Sequence, residues 1–235
     1  MNPIDLSKAT VLVTGANRGF GRHLAEQLVA QGAKVYASAR RPETVAIPGA
    51  IPLQLDITDP ASVAAAAKAA PDVTVLINNA GIATGAAFLS GDVADVRREF
   101  DTHLWGTLDV TRAFVPVIEG NGGGALLNVL SVLSWYAAPH LAAYSAAKSA
   151  EWAMTNALRV ELAPRNISVS GLHVGYMDTD LAAGMEGQKS DPAVIAKLTL
   201  EAVAAGVGEI VADDFSKQVQ AGLAGGVPAL YPQVA

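Results

Sequence analysis

A chain of 235 residues, 51% hydrophobic and 16% charged, is long enough for one large α/β domain and apolar enough to bury a sheet on both faces. A net charge of −6 offers no general attraction to nucleic acid or to an anionic membrane. The absence of cysteine removes disulfides, thiolate chemistry and Cys-ligated metals, and no metal site is expected.

The opening residues lack the basic-then-apolar order of a signal peptide, so a cytoplasmic protein is the expectation. Residues 9–15 (ATVLVTG) form a β-branched run ending at glycine and read as a strand, followed by a helical pattern over Arg22–Gln31. Residues 34–40 (KVYASAR) and 51–57 (IPLQLDI) read as the next strands. Asp59-Pro60 then opens an alanine-rich helix, with Asp as the cap and Pro in the first turn. Residues 73–81 (VTVLINNAG) read as a buried strand breaking at a polar, glycine-containing turn. A long helix follows from about Asp92 to Ile118, its inner face carrying Val96, Phe100, His103, Thr107, Thr111 and Phe114.

No Asp, Glu, Lys or Arg occurs between Glu119 and Lys148, but asparagines, serines, a proline and three consecutive glycines interrupt that stretch. A spanning helix needs roughly 20 mostly apolar residues in a row, so the pattern is a strand (124–132), a loop and the start of a helix running from Leu141 to Leu162. A strand at 167–175, a helix from Asp191-Pro192 and a strand at 208–214 end the series. Strand–helix alternation throughout 1–235 predicts a single Rossmann-type domain: a doubly wound parallel sheet of about seven strands with helices on both faces. Ligands of such a sheet sit beyond the carboxyl ends of its strands, where the polar breaks all fall.

The segment TGANRGFG (14–21) follows the first strand and opens a helix. Gly15 suits a tight turn, Gly19 the approach of a pyrophosphate, and Gly21 close helix–strand packing; Asn17 and Phe20 are further candidate contacts. The spacing is GxxxGxG, so the generic fingerprint is not met literally. The second strand ends in Ala39 and Arg40, with no carboxylate for a ribose hydroxyl. With Arg18 in the glycine loop, Arg40 favours a 2′-phosphate, hence NADP(H) over NAD(H). Asp56 and Ile57 are candidates for the adenine side.

Tyr144 and Lys148 in YSAAK share one helix face. A tyrosine with a pKa of about 10 needs a neighbouring ammonium to ionise near neutrality, and Lys148 supplies one. Ser131, thirteen residues before Tyr144, could donate to a carbonyl oxygen.

TGANRGFG, NNAG (78–81), Ser131 and YSAAK, in this order, resemble the short-chain dehydrogenase/reductase family over essentially the whole chain. The resemblance implies nicotinamide-dependent interconversion of alcohols and carbonyls. It implies that Ser131 orients the carbonyl, Tyr144 is the acid/base, and Lys148 binds the nicotinamide ribose. It further implies that Asn78 steadies the central strand, that Asn79, Ala80 and Gly81 line the cofactor site, and that Arg18 and Arg40 mark an NADP-preferring type. After the sixth strand the family carries Pro-Gly and then a Thr; here Val174 replaces the proline, while Gly175 and Thr179 remain.

The second departure is FDTHLWG (100–106), where His103 occupies the position of a family asparagine that holds a relay water. An imidazole accepts at one nitrogen and donates at the other, so three readings stand: a working relay member, a structural filler, or altered chemistry. Leu133, Trp135, Tyr136, Tyr176, Met177, Leu181 and Met185 are candidates for an apolar pocket, packing or subunit contact being the alternative. The substrate loop is expected at about 176–191. Lys189 is the only Lys or Arg in the loops after Ser131 and Thr179, which disfavours phosphorylated or CoA-linked substrates and favours small to medium apolar carbonyls or alcohols. A silent NADP(H) sensor, or an isomerase or dehydratase on this scaffold, is the competing reading. The family likeness and the apolar faces of the long helices point to a homodimer or homotetramer.

Overall fold

Strand formation follows the β-branched, apolar runs. In the computed structural model, which describes residues 3–234, seven strands form: β1 (Thr10–Val13), β2 (Lys34–Ala39), β3 (Ile51–Gln54), β4 (Val75–Asn78), β5 (Gly124–Val129), β6 (Ile167–His173) and β7 (Glu209–Val211). All pair in parallel in the order β3-β2-β1-β4-β5-β6-β7, a doubly wound sheet.

Alternation along each strand divides the core. Val11, Val13, Val75, Ile77, Ala125 and Leu127 face the layer under α1 (Gly19–Ala30) and α6 (Pro192–Ala204). Leu12, Leu76 and Leu126 face the opposite layer, with Val110, Phe114 and Ile118 of α4 (Thr107–Gly120) and Leu158 and Leu162 of α5 (Ala142–Leu162). Aspartates set the helix starts: Asp59 caps α2 (Pro60–Ala69), Asp92 caps α3 (Val93–Phe100), and Asp191 caps α6. No helix among the described residues is long and apolar enough to cross a membrane.

Two features differ from the sequence expectation. The long helix is continuous from Val93 to Gly120, but its middle, Asp101–Gly106, is one π-helical turn between α3 and α4. The extra residue per turn rotates the face presented to the core: Glu99 is buried, whereas Val96 and Phe100 are only half-buried. The chain also continues past β7 into α7 (Asp214–Gly222) and the short α8 (Gly226–Leu230). Val219, Leu223 and Leu230 pack there against Trp135 and Leu141 in a third apolar cluster.

Candidate active site

A cleft of about 1360 Å³ opens beyond the carboxyl ends of the strands. At one end lies the turn between β1 and α1. Gly15 takes a left-handed φ of +65°, and a β-carbon there would sit 2.9 Å from the Ala80 Cα. Gly21 is packed tighter still, since its β-carbon would lie 2.3 Å from the Asn79 Nδ2 and 2.5 Å from the Gly15 carbonyl oxygen. The turn is pinned from β4: Asn79 Nδ2 donates to the Thr14 and Gly15 carbonyls at 2.9 and 3.2 Å. The Thr14 hydroxyl accepts from the Asn79 and Ala80 amides, both at 2.9 Å. Unlike α2, α3 and α6, α1 has no side-chain cap on its first amides.

Gly15, Asn17, Arg18, Gly19, Phe20, Arg40, Asp56, Ile57, Asn79, Ala80, Gly81, Gly175 and Thr179 all line the cleft. Arg40 is exposed at the end of β2. Arg18 reaches across to Asp180, Nη1 to Oδ2 at 3.2 Å, tying the glycine loop to the segment after Thr179. Gly21 is not among the lining residues; its part is the close packing of α1 on the turn. Asp56 turns its carboxylate back onto the Thr58 amide and hydroxyl at 3.0 and 2.8 Å. Asn78 also lies beneath the cleft, its Nδ2 donating to Thr111 of α4 and Asn128 of β5, which continues to Thr155 of α5.

Ser131, Tyr144 and Lys148 meet at the other end of the cleft. Ser131 follows β5 in extended backbone and accepts from the Leu133 amide at 3.1 Å. Below it, His173 of β6 directs Nδ1 at the Ser131 carbonyl oxygen at 3.2 Å. Trp135 stacks on that imidazole, with ring centroids 3.6 Å apart, so it is packing rather than pocket lining, a correction to the expected pocket. Leu133, Tyr136, Tyr176, Met177, Leu181 and Met185 do line the cleft. Asp213, unremarked in the sequence, caps α7 with one oxygen and accepts from the Gly175 amide with the other at 2.6 Å. It fixes the turn where Val174 replaces proline.

Lys148 is buried, its Nζ donating to the Val129 carbonyl at 2.7 Å and to Glu151 Oε2 at 2.6 Å. Attraction to Glu151 and to the phenol outweighs the burial that works against the ammonium, and Lys148 stays above its ordinary value. Tyr144 stands edge-on to the His103 ring, centroids 5.2 Å apart, with the Lys148 ammonium 5.9 Å from its ring centre. Burial pushes the phenol above its ordinary value, Lys148 and the Ser131 hydroxyl pull it down, and Glu151 and Glu99 push it back up.

His103 is fully enclosed on the π turn. Its Nε2 lies 2.9 Å from the Ile82 carbonyl oxygen and 3.3 Å from Glu99 Oε2, and its Nδ1 lies 4.0 Å from Glu151 Oε2. Gly81 makes room for it: a β-carbon there would come within 2.7 Å of the imidazole Cε1. Neither Glu99 nor Glu151 stood out in the sequence, although each lies one helical turn from a highlighted residue, Glu99 four before His103 and Glu151 three after Lys148.

Glu99 Oε1 also accepts from the Thr84 amide at 2.6 Å and the Thr84 hydroxyl at 2.8 Å. Burial pushes this carboxyl up, but the neighbouring His103 ring and the hydrogen bonds from Thr84 prevail and hold it below its ordinary value of 4.5. A depressed carboxyl stabilises the fold above the unfolded value, and that contribution is lost as pH falls through the folded value. Glu99→Gln is therefore expected to cost roughly 1–2 kcal/mol at neutral pH, with the gap to the unaltered protein closing below about pH 4. Urea unfolding at a series of pH values measures this; a gap independent of pH refutes it.

The short chain dehydrogenase family model matches residues 9–190. A short-chain dehydrogenase from Burkholderia cenocepacia, crystallised in complex with NADP, superposes with a TM-score of 0.94 at 36% identity over 98% of both chains. An uncharacterized oxidoreductase of Schizosaccharomyces pombe is 34% identical over 194 residues, covering 79% of this chain and 66% of its own. An NADPH-dependent 1-acyldihydroxyacetone phosphate reductase from the same yeast is 32% identical over 193 residues, covering 78% and 65%. The matches thus span about two thirds of the length of these two relatives.

Proposed function

The chain belongs to the short-chain dehydrogenase/reductase family, and from that premise we propose that it transfers a hydride between NADP(H) and a small to medium apolar ketone, aldehyde or alcohol. The observation that carries this is a single cleft lined at one end by the glycine turn with Arg18 and Arg40, and at the other by Ser131, Tyr144 and Lys148.

The dinucleotide fits the residues present. A turn with glycine at 15 and 19, the uncapped amides of α1, Arg18 in that turn, and Arg40 with no carboxylate at the end of β2 make an anion site of the right chemistry for a pyrophosphate and a 2′-phosphate. Arg18, Arg40 and the turn from Gly15 to Phe20 would hold the phosphates, Asp56 and Ile57 the adenine side, Asn79 to Gly81 the central part, and Gly175 and Thr179 the nicotinamide. When bound, the cofactor supplies or accepts the hydride. In reduction, the Tyr144 phenol gives its proton to the carbonyl oxygen while the Ser131 hydroxyl donates to the same atom. Lys148 would hold the ribose, and it places a positive charge near the developing phenolate. His103 would work in the proton path behind Lys148. The apolar lining of Leu133, Tyr136, Met177, Leu181 and Met185 suits an apolar substrate, with 176–191 as its loop. Trp105 of the π turn and Val160 of α5 are exposed, and homodimeric or homotetrameric contacts through these helices complete the reading.

Nicotinamide absorbance followed over a panel of ketones, aldehydes and alcohols tests the activity; binding of NADPH without any turnover defeats it. Arg40→Ser is expected to raise KM for NADPH about 10- to 100-fold and to leave KM for NADH unchanged. Equal use of NADH and NADPH by the unaltered protein refutes the assignment of Arg18 and Arg40.

A further inference from the structure

The catalytic lysine of this chain is held by a buried carboxylate, and a second carboxylate lies on the far side of His103. From α5, Glu151 Oε2 contacts Lys148 Nζ at 2.6 Å and faces His103 Nδ1 at 4.0 Å. From the π turn, His103 carries the contact on to Glu99 of α3, Nε2 to Oε2 at 3.3 Å. Both carboxylates and the imidazole are almost wholly inaccessible to solvent. His103 Nδ1 has no hydrogen-bond partner among the described residues, which leaves Glu151 as its nearest acid.

We propose that Glu151 is a positioning residue for this reaction: by holding the Lys148 ammonium within one buried cluster with His103 and Glu99, it keeps Tyr144 protonated at neutral pH and sets the site for carbonyl reduction over alcohol oxidation. The inference rests on the hydride-transfer reading above. Reduction begins with Tyr144 as the phenol that donates a proton, and oxidation begins with it as the phenolate that accepts one. An ammonium facing the phenol alone would favour the phenolate. Here two carboxylates stand behind one ammonium, and in a poorly solvated site their charges oppose phenolate formation.

Among the described residues, the titratable groups in contact with Tyr144 or coupled to its charge come from four elements, while His140, one turn before it, faces Tyr176. These groups are Lys148 and Glu151 from α5, His103 from the π turn, Glu99 from α3 and the Ser131 hydroxyl after β5, with His173 of β6 touching only the Ser131 carbonyl. Burial is the largest cause of the upward shift of Tyr144, and Glu151 and Glu99 add to it against Lys148 and Ser131, in agreement with this geometry.

The test is an alkaline titration of the cofactor-free protein by tyrosinate absorbance, with Tyr144→Phe subtracted to isolate the one phenol. Glu151→Gln is expected to bring the Tyr144 transition down by roughly one pH unit, and Glu151→Asp to restore it toward the original value. If Glu151→Gln does not fold, Glu99→Gln serves, with a smaller shift of the same sign. The rising limb of the alcohol-oxidation pH profile is expected to move the same way. A transition in Glu151→Gln at the original pH or above it overturns the proposal. Absence of turnover on every substrate would refute the hydride-transfer reading, while the titration, which needs no cofactor, would still decide whether Glu151 holds the phenol protonated.

Discussion

Tyr144→Phe is expected to lower kcat/KM for carbonyl reduction by about 100- to 10,000-fold, the usual worth of a positioned proton donor, while NADPH affinity changes by no more than a few fold. The ring keeps its place, because its edge-on packing against His103 and its position over the Lys148 ammonium do not involve the hydroxyl. What is removed is the phenol proton of the one tyrosine that shares a helix with Lys148 at that end of the cleft. Steady-state rates beside a fluorescence titration of NADPH separate the two effects. A Phe variant that kept more than a tenth of its activity would show that another group protonates the substrate. Loss of activity and cofactor binding together would instead mean that the hydroxyl organises the cleft.

The largest stability effect is expected at Thr14, one residue before the glycine turn. Its buried hydroxyl accepts both the Asn79 and the Ala80 amides at 2.9 Å, joining the ends of β1 and β4. Thr14→Val preserves the shape and leaves two backbone N–H groups without an acceptor, each costing about 1–3 kcal/mol. The sum, about 2–6 kcal/mol, is a large part of the 5–15 kcal/mol that typically holds a domain together. A lower urea midpoint with an unchanged slope is the expected result, with Thr14→Ser close to the unaltered protein. A Val midpoint equal to that of the unaltered protein would mean that these amides find other partners. Because Asn79 and Ala80 line the cleft, the surviving folded fraction should also bind NADPH more weakly.

The strands were readable in the sequence because a parallel sheet buried on both faces leaves near-continuous apolar runs, as in β1, β4 and β5; β6 (ISVSGLH) is buried throughout although serines alternate with its apolar residues. Helix starts were readable where Asp-Pro declared them, at α2 and α6. The π turn was not, since one extra residue in a turn leaves composition and capping unchanged and only rotates the faces of α3 and α4 relative to each other. An inner face extrapolated back from His103, Thr107 and Thr111 at ordinary helical spacing therefore includes Phe100 and misses Glu99. Glu151 escaped for a related reason: a carboxylate on a helix reads as solvated unless its partners are known, and His103 lies 48 positions away in the chain. Trp135 looked like pocket lining because it follows Ser131, yet its stacking partner His173 arrives from β6. Local pattern identified the cleft and its two ends. Only tertiary placement brought the acids to the lysine.

The glycine at 81 limits which side chains this site can combine. A β-carbon there would occupy the space of the imidazole edge, so the residues at 81 and 103 are not free to vary independently. With the imidazole in its present place, alanine at 81 requires the His103 ring to shift, and a smaller side chain at 103 relieves that contact. The two positions are thus coupled by volume, before any chemistry is considered.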